Sequence, residues 1–257
     1  MSFKCVVLFG APGSGKSTLL AGLQAWQSDS VEFVAFPEPT DTPEMQALLD
    51  EHYNTKSSTS AFRLQMAILA QRANSYKAWV SDQAAAVCSA AARAGKSVVV
   101  VCDGHPRTDA LLYAYSKYKS GEIDAASYDV YKASLALHLD TMDERFAQPS
   151  VFYHMHIAGD EQSGVEYHRR VVHLRNNASE RQLVPKTFAR FARYARAARV
   201  HLAGAGFATT TIDTGDAARP RAAILRDFAR EIEDEHGQAQ PVASASVDTL
   251  DPIAAQG

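Results

Sequence analysis

Residues 4–18 read Lys4-Cys5-Val6-Val7-Leu8-Phe9-Gly10-Ala11-Pro12-Gly13-Ser14-Gly15-Lys16-Ser17-Thr18. An apolar run of strand length is followed at once by the pattern G-x-x-x-x-G-K-[ST], and a helical pattern then continues to Trp26. Glycines let a backbone curl until its N–H groups point inward at phosphate oxygens. A helix N-terminus behind them adds partial positive charge. The stretch therefore predicts a strand, a phosphate-cradling loop over Gly10–Thr18 and a helix. In that setting Lys16 is placed to reach the β- and γ-phosphates of a nucleotide, and the Ser17 hydroxyl to ligate Mg²⁺.

Working outward, short β-branched runs alternate with longer helical ones. Strands are predicted at Val31–Phe36, Ser97–Cys102, Val151–Ile157 and Phe207–Asp213. Ser97–Cys102 (SVVVVC) is apolar throughout, as in a parallel strand covered on both faces. Helices are expected over 58–93, 106–119, 125–146, 161–173, 184–202 and 218–233. The alternation predicts an α/β P-loop fold, a five-stranded parallel sheet flanked by helices on both faces. Residues 1–236 read as one domain, and the Ala-, Ser-, Gln- and Pro-rich segment 237–257 as a disordered tail.

A chain of 257 residues with 46% hydrophobic and 21% charged residues has the composition of an ordinary globule. Its net charge of −3 gives no footprint for a polynucleotide, so phosphate recognition must rest on a few placed cations. No run approaches the ~20 apolar residues that span a membrane. The passage from Met1 directly into a strand predicts no leader peptide. Cys5, Cys88 and Cys102 lack CxxC spacing, and Cys5 and Cys102 fall in apolar runs. Buried thiols and a reducing, cytoplasmic compartment are the expectation.

The remaining candidates gather where the strands end. Asp103 closes the SVVVVC strand, at the edge where such sheets bind ligands, and is a candidate for holding the Mg²⁺ shell. Glu38 lies between Pro37 and Pro39, which hold the backbone extended past the second strand. A carboxylate there can take the proton of an attacking hydroxyl. Gln65 and Arg72 are seven residues apart on a predicted helix, about 20° from the same direction. With Asp109, one turn into the helix after Asp103, they offer an amide, a guanidinium and a carboxylate, a set suited to reading a base edge. Arg169, Arg170, Arg175 and Arg181 form a basic segment that can close over a transferring phosphoryl group.

Taken together, these residues resemble the deoxynucleoside kinases, the group that includes deoxycytidine and deoxyguanosine kinases and herpesviral thymidine kinases. The resemblance runs from the P-loop to about Arg199. Glu38-Pro39 resembles the family's Glu-Pro with its catalytic base, and Phe62-Arg63-Leu64-Gln65 with Arg72 resembles its base-holding helix. Asp103-Gly104-His105-Pro106 is similar to an Asp-Arg-His-Pro motif, and Leu174-Arg175 through Pro185 to an arginine-rich lid, here at about 169–183. The resemblance implies Mg·ATP as phosphoryl donor and a deoxynucleoside 5′-hydroxyl as acceptor. It implies Tyr53 and Glu180 at the sugar 3′-hydroxyl, Tyr113 stacking on the base, and a homodimer, common among relatives. The chain departs from the pattern at Gly104, where the family has arginine, with Arg107 one turn on as the candidate substitute. It also departs at Pro43, where a tryptophan is usual, and in a lid about one residue longer. A nucleoside monophosphate kinase and a catalytically silent binding protein remain as alternatives. Gln65, Arg72 and Asp109 together favour deoxyadenosine, deoxyguanosine or deoxycytidine over thymidine, which offers Asp109 no exocyclic amine.

Overall fold

The computed structural model describes residues 2–39, 42–175, 183–215 and 219–235, the side chains of 173–175 excepted. The five predicted strands form: β1 (Lys4–Phe9), β2 (Val31–Phe36), β3 (Ser97–Asp103), β4 (Val151–His156) and β5 (Thr209–Asp213). They make one sheet in the order β2-β3-β1-β4-β5, parallel at every pairing. The order puts β1, and hence the loop that follows it, at the centre.

Alternate residues of the central strands fill two cores, as a pleat of period two requires. Cys5, Val7, Phe9, Val98, Val100 and Cys102 face one core. There they meet Ala73, Tyr76 and Trp79 of α3 (Ser58–Asp82) and Ala195, Ala198 and Leu202 of α10 (Pro185–Gly204). Val6, Leu8, Val99 and Val101 face the other, against α1 (Lys16–Gln24) and α11 (Arg221–Glu235). Cys5 and Cys102 are buried free thiols with sulfurs 3.7 Å apart.

Five helical expectations change. A helix not foreseen, α2 (Pro43–Thr55), starts on a Thr42 side chain that accepts from the Met45 amide, with Pro43 at its first position. The long helix breaks at Gln83, giving α3 and α4 (Ala84–Arg93). The helix after Asp103 is continuous from α5 (Pro106–Asp109) through a π-helical turn, Ala110–Ala114, into α6 (Tyr115–Lys119). The predicted 125–146 helix divides into α7 (Ala125–Asp140) and α8 (Glu144–Ala147), capped by Asp143. Finally, α9 (Val165–Arg169) begins only after left-handed Gly164 and leads into a π-helical segment, Arg170–Arg175. The tail 237–257 lies outside the described residues. Among the described residues no helix is long and apolar enough to cross a membrane.

Candidate active site

The loop after β1 is built around close backbone approach. At Gly10 a Cβ would stand 2.2 Å from the Met155 carbonyl oxygen, so the strand-to-loop turn needs a residue without one. Gly15 is left-handed and caps α1, placing Lys16 and Ser17 at its first two positions. Lys16 Nζ donates to the carbonyls of Gly10 at 3.1 Å and Ala11 at 3.4 Å and lies 4.0 Å from Asp103 Oδ1. The Ser17 hydroxyl donates to Asp103 Oδ2 at 3.0 Å. Asp103 is 1% exposed, and its Oδ1 takes no hydrogen bond among the described residues. A hydroxyl beside a carboxylate with a spare buried oxygen fits a hard divalent cation completed by phosphate oxygens. Such a site needs no cluster of three acidic or imidazole ligands, and none occurs among the described residues.

A cavity of about 760 Å³ opens from this loop. Pro12, Lys16 and Ser17 line it on one side, Glu38 and Asp103 at the sheet edge, and Gln65, Asp109, Tyr53 and Tyr113 further out. Glu38 keeps partial contact with the cavity while protein surrounds it elsewhere. Burial first, with the charge of Asp103, lifts its carboxyl to about 7, against the pull of Lys16 and Arg72. That is the range in which a carboxylate serves as a general base near neutrality. Tyr113 packs edge-on against Phe191 at 5.4 Å. Gln65, 3% exposed, presents its amide to the cavity from α3.

Arg72 stands behind this wall rather than in it. Its Nε donates to Asp109 Oδ2 at 2.8 Å and its Nη1 to the Asp103 carbonyl at 2.6 Å. Burial raises the Asp109 carboxyl, and Arg72 opposes the rise. Gly104 explains the space Arg72 occupies. Its φ of +81° is left-handed, and a Cβ there would meet Arg72 Nη2 at 2.8 Å. The glycine that departs from the family pattern thus makes room for a guanidinium arriving from α3. The turn is pinned by neutral His105, which burial and Arg107 hold down at about 3. Its Nε2 donates to the Phe146 carbonyl at 2.7 Å, and its Nδ1 accepts from the Arg107 amide at 3.1 Å.

Three expectations fall elsewhere. Arg107 points away from the cavity, donating to the Ala147 carbonyl at 3.3 Å and lying 5.1 Å over the Phe207 ring, so it does not stand in for the missing arginine. Arg169 is exposed and held by both oxygens of Glu166 at 2.7 Å. Arg170 donates to Glu166 at 2.9 Å and to the Thr214 carbonyl at 2.9 Å. Thr214 in turn donates to the Ser14 carbonyl at 2.8 Å, which ties Arg170 to the phosphate loop from outside the cavity. The Arg175 side chain, Glu180 and Arg181 lie outside the described residues. The cavity adds residues not singled out in the sequence, chiefly His52, Lys117, Glu122 and Arg190. Lys117 follows Asp109 and Tyr113 at helical spacing, the one signal that pointed to it.

A glycine-rich loop after the central strand of a five-stranded parallel sheet, with a cavity at the sheet's carboxyl edge, makes the P-loop kinase fold. A family model for deoxynucleoside kinases matches residues 6–187, and the chain belongs to that family. A search of curated proteins finds no match. Among solved structures the chain is similar to deoxyadenosine kinase from M. mycoides with dCTP bound: TM-score 0.64, 14% identity, 90% of this chain and 99% of that one covered. The same enzyme with dATP bound gives a TM-score of 0.64 at 13% identity, over 89% and 98% of the two chains. With dCMP and a flexible dCDP the values are 0.63 and 13%, over 90% and 98%.

Proposed function

We propose that the chain is an ATP-dependent deoxynucleoside kinase of nucleotide salvage, working in a reducing compartment and taking deoxyadenosine, deoxyguanosine or deoxycytidine in preference to thymidine. The observation that carries this reading is one continuous cavity joining Lys16 and Ser17 to Glu38 and to the Gln65–Asp109 wall. Nucleotides described in the solved neighbours support it. In an in-line transfer the bond from the 5′-oxygen to the γ-phosphorus forms as the bridging bond to the β-phosphate breaks. Glu38 accepts the hydroxyl proton. Lys16 and the loop amides balance charge on the phosphates. Ser17 and Asp103 would hold Mg²⁺, which would supply charge neutralisation to the transferring phosphate. Arg169, Arg170 and Arg175 belong to the segment at about 169–183 that acts as lid, and the part of Arg169 and Arg170 requires release from Glu166. Tyr53 and Glu180 are assigned to the sugar, Tyr113 to the base, within one domain over 1–236 that forms homodimers.

The test is ADP release with Mg·ATP across the four deoxynucleosides and their monophosphates. Turnover with deoxyadenosine, deoxyguanosine or deoxycytidine and little with thymidine is expected. Glu38→Gln should lower kcat by about 10²-fold or more while nucleoside affinity changes far less. Activity confined to monophosphates, or normal turnover in that variant, overturns the assignment.

A further inference from the structure

The helix that carries Asp109 and Tyr113 continues along the cavity, and Lys117 lies about 12 Å beyond Asp109 along its axis. There it meets His52 from α2, Glu122 from the loop after α6 and Arg190 from α10, all on the same wall. Lys117 Nζ donates to His52 Nε2 at 2.5 Å and to Glu122 Oε2 at 3.2 Å. Arg190 Nη2 donates to Glu122 Oε1 at 3.4 Å, and Ser120 donates to the same oxygen at 2.7 Å. Both oxygens of the one carboxylate are therefore engaged. Lys117 and Arg190 against Glu122 leave one surplus positive charge.

Burial, and then the Lys117 charge, hold His52 at about 4, so the imidazole is neutral. With Nε2 accepting from Lys117, the ring proton sits on Nδ1. That Nδ1–H is buried without an acceptor among the described residues, and so is the Nε–H of Arg190. His52 is 5% exposed. The surplus positive charge that Lys117 and Arg190 bring to the cavity wall suits an anionic ligand group that only accepts.

We propose that His52, Lys117 and Arg190 form an oxyanion subsite at the end of the cavity remote from the phosphate loop, which binds a phosphate separate from the one transferred. The placement of the acceptor rests on the kinase reading above. Tyr53, next to His52 and assigned to the sugar, puts this subsite on the 3′ side of a bound deoxynucleoside. The phosphate is then either the 3′-phosphate of the acceptor or free inorganic phosphate bound beside it.

Calorimetry on the full chain with the phosphate loop filled by Mg·ADP separates these sources. Deoxyadenosine 3′-monophosphate should bind at least tenfold tighter than deoxyadenosine. In Lys117→Met and Arg190→Met the ratio should fall to about one, whereas Lys119→Met should keep it. Arg190 is partly exposed, so its variant guards against a folding defect in the first. A Lys117-dependent heat with inorganic phosphate, without a 3′-phosphate advantage, assigns the subsite to the free anion. Absence of both the advantage and the Lys117-dependent heat overturns the proposal. Failure to phosphorylate any nucleoside would instead overturn the kinase reading, and the binding ratios would still decide the subsite.

Discussion

Glu38 is a carboxylate made costly to ionise chiefly by burial, and then by the nearby charge of Asp103. Two consequences follow with definite sign. As a base it must be deprotonated, so kcat/KM should rise with pH below about 7 and level off above it. A flat profile from pH 5.5 to 8 would remove Glu38 from proton transfer. Because its folded pKa lies above the unfolded value, its contribution favours the folded state at low pH and is lost as pH rises through about 7. Glu38→Gln should therefore raise the unliganded protein's stability at pH 8 by on the order of 1–3 kcal/mol and much less at pH 5, read from urea midpoints at the two pH values. Gly104 makes the complementary point about space. Gly104→Ala forces a side chain into a left-handed position and against Arg72 Nη2 and Asp109 Oδ1. The expected cost is about 1–3 kcal/mol, with the KM for nucleoside raised and that for ATP nearly unmoved. Equal loss for both substrates would mean the Arg72–Asp109 pair is not what the glycine protects. The residue types at Lys16, Glu38 and Asp103 were legible in the sequence because their chemistry depends on motif and strand end. The reason for Gly104 was not, since it lies in a guanidinium arriving from 32 positions earlier in the chain.

At the scale of elements, strands were readable because burial on both faces writes continuous β-branched runs such as Val98–Val101. Helix interruptions were not. Gln83 and the alanines around it are good helix formers, and the break there answers to packing rather than propensity. Thr42 and Pro43, by contrast, are an N-terminal signature that did announce α2, although Pro43 was read only as a missing tryptophan. The start of α9 shows what a single cap does for function. Asp160 accepts from the amides of Val165 at 3.1 Å, Glu166 at 2.8 Å and Tyr167 at 3.0 Å, and also takes the Ser163 hydroxyl. It is 8% exposed and anchors the first turn of the helix that carries Arg169 and leads to Arg170. Asp160→Ala should cost about 0.5–2 kcal/mol and lower kcat more than it raises nucleoside KM. A loss of stability with kcat intact would confine Asp160 to capping.

For the whole molecule, the sheet order is what joins two chemistries in one space. With β1 central and β3 beside it, the Gly10–Thr18 loop and Asp103 emerge side by side, and β2 sets Glu38 at the next position along the same edge. The α3 and α5–α6 helices then carry Gln65, Asp109 and Tyr113 outward from that edge. Because a single cavity connects them, a ligand that fills both ends loses its translational and rotational freedom only once. A deoxyadenosine joined through its 5′-oxygen to the terminal phosphate of an adenosine polyphosphate should bind at least 10²-fold tighter than ATP or deoxyadenosine alone. By mass action it should also raise the unfolding midpoint well beyond either at equal concentration. The gain should vanish in Lys16→Ala, which removes the phosphate end, and fall sharply in Asp109→Ala, which removes the base end. If the joined ligand bound no better than ATP, the two ends would not be occupied together, and direct transfer across this cavity would be excluded.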